Sequence, residues 1–285
     1  YPQGVPAQVT AWLEKEFALI TACNYEMFFL TVHDIVQFAR SKNILCQGRG
    51  SAANSVVCWC LGITAADPMH SHPLLERFIS VERRHEPPDI DVDFSDTGRD
   101  RVIEYVRNKY GADHVAQICT FGTMAARAAV KDTGKALGIP FTEMNLLASY
   151  IPARPGTKLE DALVESVEFK QAYESDDRYK KVIDQALKLE GSVRQLGVHA
   201  CAVIIAPEPI TNYCALQHPP KDTATTVTQL SQYPLEELGL LKMDFLGLRN
   251  LTIMKRCLQI VKDNHGIDVD LLRLDMDDKK VFKVF

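Results

Sequence analysis

The sequence predicts an α+β fold in which a sheet-containing domain is split by a helical insertion. Three observations carry this. The run Pro88 to Phe94 alternates aspartates with Ile90, Val92 and Phe94, the pattern of a strand with one acidic and one apolar face. Far downstream, Leu240 to Phe245 repeats that alternation. Between them, from Phe121 to Gly191, the text is helical and alanine-rich, interrupted at Ile151-Pro152-Ala153-Arg154-Pro155-Gly156.

Taken in order, Val9, Trp12, Leu13, Phe17 and Ile20 recur at helical spacing over residues 7 to 22, and a second helical pattern runs from about Glu26 to Ser41. Ile44-Leu45-Cys46 reads as a short buried strand. The turn Gly48-Arg49-Gly50-Ser51 follows, then a helix from Ala52 to Leu61 closed by Gly62. Ser95 or Asp96 can cap a helix from about Arg99 to Tyr110, with Val102, Ile103, Val106 and Tyr110 on one stripe and Gly111 at its end. Ala200 to Ala206 is a strand stopped by Pro207, and the Leu240 to Phe245 strand ends before Gly247.

The 285 residues suffice for one large or two modest domains, and 46% hydrophobic with 24% charged residues is ordinary for a soluble protein. No apolar stretch approaches a bilayer's thickness and Tyr1-Pro2-Gln3-Gly4-Val5 does not resemble a signal peptide, so the expected location is cytoplasmic, with no membrane partner. The chain reads as a segment of a longer one, since it starts without methionine and stops at Lys283-Val284-Phe285. Of eight cysteines only Cys58 and Cys60 are close, which is poor zinc spacing, and reduced buried thiols are the expectation. A net charge of −5 still permits a local acidic metal site beside a local basic groove.

The chemistry starts from Asp89, Asp91 and Asp93. Two residues apart in a strand, their carboxylates share one face and repel one another unless a cation sits against them. A solvated strand face usually mixes Thr, Ser, Lys and Glu, so unmixed aspartate favours a divalent cation, and hard oxygen ligands suit magnesium or manganese. In Gly48-Arg49-Gly50-Ser51 the glycines let backbone amides approach a ligand, the Ser51 hydroxyl can cap or donate, Arg49 adds a charged fork, and the following helix aims its positive end there. Taken alone, such turns are more often structural. Lys242 and Asp244 share one face of their strand and either simply pair or complete a three-carboxylate cage with Lys242 facing phosphates. Arg77, Arg83 and Arg84 are either surface counter-charge or phosphate ligands, with Arg77 the better candidate. His199 precedes a buried strand and reads as a satisfied core or loop histidine. Aspartates for two metals, with a glycine-serine turn and cations for phosphates, are the equipment of in-line nucleotidyl transfer.

Six motifs taken together resemble the bacterial DNA polymerase III alpha subunits, the family C polymerases. They are Gly48 to Ser55, Leu75-Glu76-Arg77-Phe78, Pro88 to Phe94, Phe121 to Ala126, Gly197 to Ala200 and Lys242 to Arg249, in family order across nearly the whole chain. Leu75 departs from the aromatic residue many members carry there. The resemblance implies a polymerase β-like nucleotidyltransferase palm with an inserted helical thumb: palm over residues 1–120 and 200–249, thumb over 121–199, and the start of the fingers over 250–285. It implies that Asp89, Asp91 and Asp244 bind two Mg2+ ions, with Mn2+ as the alternative, and that Gly50, Ser51, Arg77 and Lys242 meet the nucleotide's triphosphate. The family gives Asp93 no comparably firm role. Its PHP domain, remaining fingers and carboxy-terminal parts are expected outside this chain, so the segment alone need not support processive synthesis. Phe29 to Val36 and Glu86-Pro87-Pro88 resemble the error-prone paralogues and Phe121 to Met124 the replicative form, which leaves the subfamily open.

The expected function is template-directed DNA synthesis from a dNTP on a primer 3′-hydroxyl. Primer-template DNA is the expected partner, and in the full protein the sliding clamp and other replisome subunits. Two alternatives stand beside it: a template-independent nucleotidyltransferase, and a non-catalytic DNA-binding fragment of the polymerase.

Overall fold

The computed structural model describes residues 1–285 except 2, 72, 76–77, 81, 83–87, 89, 220–221, 275–276 and 285. Two compact units emerge: Tyr1–Ile118 with His199–Phe285, and Cys119–Val198. Together they make an α+β chain with one seven-stranded sheet.

In the first unit, α1 (Ala7–Cys23) and α2 (Glu26–Ser41) precede β1 (Cys46–Arg49), a 3-10 turn (Gly50–Asn54), α3 (Val56–Cys60) and α4 (Pro68–Ser71). Then come β2 (Asp91–Ser95), α5 (Asp96–Tyr110) and β3 (Val115–Thr123). Helices α6 (Ala126–Ala136), α7 (Phe141–Ser149), α8 (Leu159–Glu165), α9 (Val167–Ser175) and α10 (Asp177–Leu189) fill the second unit. The chain returns through β4 (Val193–Ile205), β5 (Leu216–Gln217), β6 (Val227–Thr228), α11 (Gln232–Glu237), β7 (Lys242–Leu248), α12 (Arg249–His265) and α13 (Lys279–Phe282).

The sheet runs β1-β2-β7-β4-β3-β6-β5. At its centre β2 and β7 pair in parallel, Val92 with Phe245 and Phe94 with Gly247, while β1 flanks β2 antiparallel with Arg49 opposite Asp91. On the other side β4 runs antiparallel to β7, placing Ala202 opposite Asp244 and Ile204 opposite Lys242. Val92, Phe94, Met243 and Phe245 point into one core with α1, α2 and α5, where Phe94 and Phe245 meet edge to face at 5.6 Å. Ala202 and Ile204 belong to a second cluster with Ala116, Ile118 and Leu240. The aspartates therefore lie on the sheet face away from the larger core. In the second unit, Val130, Met144, Leu147, Phe169, Val182 and Ile183 make a separate helical core.

Several boundaries differ from the sequence reading, each for a local reason. The first strand begins at Cys46 rather than Ile44 and runs through Gly48 and Arg49, because Gly48 N–H bonds Ile63 O at 2.7 Å and the ladder to β2 continues to Arg49. The acidic strand is Asp91–Ser95, which begins three residues after Pro88 and ends one after Phe94. No continuous helix spans Ala52 to Leu61: Ser55 is extended, with φ −103°, and its hydroxyl caps Cys58 N–H at 2.8 Å. The helical insertion opens and closes with strand, since β3 reaches Thr123 and β4 starts at Val193. The last strand continues through Gly247, whose missing side chain leaves room for the Arg99 stem; an added Cβ there lies 3.2 Å from Arg99 Cδ.

Glu16 on α1 explains the break at Ser55. It is completely buried, and its carboxylate accepts from the Ser55 hydroxyl and, at 3.0 Å, from Val57 N–H. The N-terminus of α3 thus faces Glu16 and not the glycine turn, which corrects the expectation that a helix dipole serves that turn. Glu16→Ala leaves buried donors unpaired and should cost about 2–3 kcal/mol, read as a lowered urea midpoint. Burial raises the Glu16 carboxyl above its ordinary 4.5 despite these hydrogen bonds. The folded state then keeps the proton where the unfolded chain has lost it, so stability falls as pH rises from 4.5 through the raised value, and Glu16→Gln should remove that component.

Gly48 supplies a second test. A Cβ at this position would lie 2.7 Å from the backbone oxygen of Ile63 and 2.9 Å from its Cγ2. Gly48→Ala must push the strand from its neighbour and should destabilise by about 1–3 kcal/mol in chemical denaturation.

Candidate active site

The site forms where three strands of the first unit meet. One residue back from the Val92–Phe245 pair, the parallel register sets Asp91 beside Asp244 on the face opposite the larger core. Arg49, opposite Asp91 on β1, reaches across both aspartates of β2: its Nη1 lies 3.4 Å from Asp91 Oδ2 and its Nε donates to Asp93 Oδ1 at 2.8 Å. Asp93 is buried, at 7% exposure, so its carboxylate has left water for this partner. The Asp93 hydrogen bond is also the largest cause holding the Arg49 guanidinium protonated above its ordinary range. Gly50, at φ +65°, turns the chain directly beside this group, and a Cβ there would lie 3.7 Å from Asp91 Oδ2. Ser51 follows, half-buried, in the 3-10 turn.

On β7, Lys242 Nζ donates to Asp244 Oδ2 at 2.6 Å, with both side chains largely buried. The pair that the alternation allowed is therefore formed. The other oxygen, Asp244 Oδ1, is buried without a hydrogen-bond partner among the described residues. A carboxylate oxygen out of water with no donor is costly, and a cation is one group suited to meet that cost.

The structure thus brings together Arg49, Gly50, Asp91, Asp93, Lys242 and Asp244. Asp89 and Arg77, with Arg83 and Arg84, lie outside the described residues. Two residues that the sequence reading did not place here belong to the same neighbourhood. His199 is a satisfied histidine, as the sequence suggested, but it lies half-buried within β4 and not in a loop. Its Nδ1 accepts from Ala202 N–H at 3.0 Å, and a donor atom of each of His199, Cys201 and Asp244 lies within 4.8 Å of the others. Burial first, and then the Asp244 carboxylate, push the Cys201 thiol up to about 11. The Gly197-Val198-His199-Ala200 motif was the available signal for His199. Nothing in the text marks Cys201, because only the pairing of β4 with β7 brings that part of the chain to Asp244.

Residues 1–247 match the family model described as the bacterial DNA polymerase III alpha NTPase domain. The DNA polymerase III subunit alpha of Thermus aquaticus is 43% identical over 272 residues, covering 94% of this chain and 22% of that protein. The Bacillus subtilis subunit is 42% identical over 273 residues, covering 95% and 24%, and the Aquifex aeolicus subunit 40% over 296 residues, covering 95% and 25%. The chain accordingly spans about a quarter of the length of these relatives. No helix among the described residues is long and apolar enough to cross a membrane. With a strand-borne pair of aspartates, a glycine turn beside them and this match along most of its length, the chain belongs to the bacterial DNA polymerase III alpha family.

Proposed function

We propose that this chain is a catalytic palm segment of a DNA polymerase III alpha subunit, acting in template-directed transfer of a nucleotide from a dNTP to a primer 3′-hydroxyl. One observation carries the reading: β2 and β7 pair in parallel so that Asp91 adjoins Asp244, whose buried Oδ1 lacks a partner among the described residues. Hard carboxylate oxygens fixed by two strands fit Mg2+, with Mn2+ as the alternative. Asp91 and Asp244 hold the ions, joined by Asp89 on the family resemblance. When bound, the two ions lower the pKa of the attacking hydroxyl and take up charge on the leaving pyrophosphate.

The chain's own residues prepare that site. Arg49 and Lys242 offset the carboxylate charge that would otherwise repel itself. Both are suited to exchange a carboxylate for triphosphate oxygens as a nucleotide enters, Arg49 as a planar fork and Lys242 as a point charge. Gly50 keeps side-chain atoms out of the space beside Asp91, and Ser51 brings a hydroxyl to the same turn. Arg77 joins them on the resemblance alone.

In this reading the sheet unit is a polymerase β-like nucleotidyltransferase palm, over about 1–120 and 200–249, with the start of the fingers over 250–285. The helical unit is the thumb, over about 121–199. Primer-template DNA and a dNTP are the partners of the site, and a sliding clamp and other replisome subunits those of the longer, cytoplasmic protein. The modest share of its relatives' length that the chain covers favours one rival, a segment that binds DNA without transferring nucleotides by itself.

In the full-length subunit, Asp91→Ala should lower primer extension by about a thousandfold or more, the loss of several kcal/mol of charge stabilisation, with the far-ultraviolet circular dichroism unchanged. Near-normal extension by a folded variant contradicts the assignment. Nucleotide addition without a template points to the template-independent transferase. Salt-steep DNA binding by the 285-residue chain with no turnover identifies the binding segment.

A further inference from the structure

We infer that His199, Cys201 and Asp244 form a zinc-binding site whose nitrogen and sulfur ligands the nucleotidyl-transfer reading leaves unused. Imidazole nitrogen, thiolate sulfur and carboxylate oxygen are the donor set of zinc, whereas magnesium takes oxygen alone. Among the described residues these three are the group whose donor atoms converge within 4.8 Å of one another. Zinc holds sulfur at about 2.3 Å and imidazole nitrogen at about 2.0–2.1 Å, which sets two such donors about 3.6 Å apart around a tetrahedral ion. The Cys201 Sγ lies 3.6 Å from His199 Nδ1.

The third ligand supplies an independent observation. Asp244 Oδ1 is buried without a hydrogen-bond partner among the described residues, while Oδ2 is already held by Lys242. One carboxylate oxygen of Asp244 lies within 4.8 Å of the His199 and Cys201 donors, and a cation taken up by Oδ1 would resolve that deficit and leave the Lys242 pair in place. Binding at His199 Nδ1 replaces the Ala202 N–H now donated to it, and a fourth position stays open to water. Sharing Asp244 makes zinc and the catalytic ions mutually exclusive, so zinc silences transfer; this consequence rests on the proposed function, whereas the binding site does not.

The test is a cobalt(II) titration of the reduced 285-residue chain, reading the thiolate-to-metal charge-transfer band in the near ultraviolet. The expected result is a band that saturates at one equivalent, is displaced by zinc, disappears in Cys201→Ser and persists in Cys60→Ser, the latter cysteine being exposed. Should Cys201→Ser lose its circular dichroism, alkylation of the unaltered chain read by mass spectrometry replaces it: zinc shields Cys201 and leaves Cys60 reactive. Absence of the band, its survival in a folded Cys201→Ser, or alkylation of Cys201 indifferent to zinc overturns the site. None of these readouts involves nucleotide transfer, so loss of the polymerase reading and loss of the zinc site are separate results.

Discussion

The parallel pairing of β2 with β7 is the constraint on which the rest depends. It joins two segments far apart in sequence, and its register is fixed by the apolar face: Val92 and Phe94 meet Phe245 above a core shared with α1, α2 and α5. A slip of one residue would turn the aspartates into that core and the aromatics out of it, an exchange no folded chain tolerates. Hydrophobic packing on one side of the sheet therefore sets the spacing of charged groups on the other. Gly247 and the buried Glu16 serve the same end, one by admitting the Arg99 stem close to β7 and the other by fixing the chain just after the Gly50 turn.

The acidic face is held in balance by two cations of the chain itself. Arg49 spans Asp91 and Asp93, and Lys242 binds one oxygen of Asp244. Breaking either arrangement without a substitute exposes a carboxylate to its neighbours in a poorly hydrated place, so any ligand that draws Arg49 or Lys242 away must arrive with positive charge of its own. In the function proposed above, that coupling would link nucleotide phosphates to divalent ions in one event. Beside this carboxylate the Cys201 thiol is pushed up to about 11, by burial first and by the Asp244 charge second.

Much of this was legible in the text. Helices α1, α2 and α5 follow their apolar spacing closely, and the two alternating strands marked Asp91, Asp93, Lys242 and Asp244 because a period of two assigns faces without reference to anything else. The α+β class followed from those strands and the helical stretch between them. What escaped the reading depends on contacts distant in sequence. The break at Ser55 needs the Glu16 carboxylate from α1, the two-residue strands β5 and β6 carry too few residues to show a period, and β3 hides its strand character among residues that also suit a helix. Cys201 gave no sign because its nearness to Asp244 comes from the pairing of β4 with β7, which no local pattern shows. Asp244 could be named but not placed, since only the ladder brings it to Asp91.

The most direct measurement is the crystal structure of the chain soaked with manganese and a deoxynucleoside triphosphate, recorded at the manganese absorption edge. The account requires an anomalous peak in contact with both Asp91 and Asp244, with Lys242 drawn from Asp244 toward the triphosphate. A saturated soak that leaves the Lys242–Asp244 pair intact, with no peak near either aspartate, contradicts it.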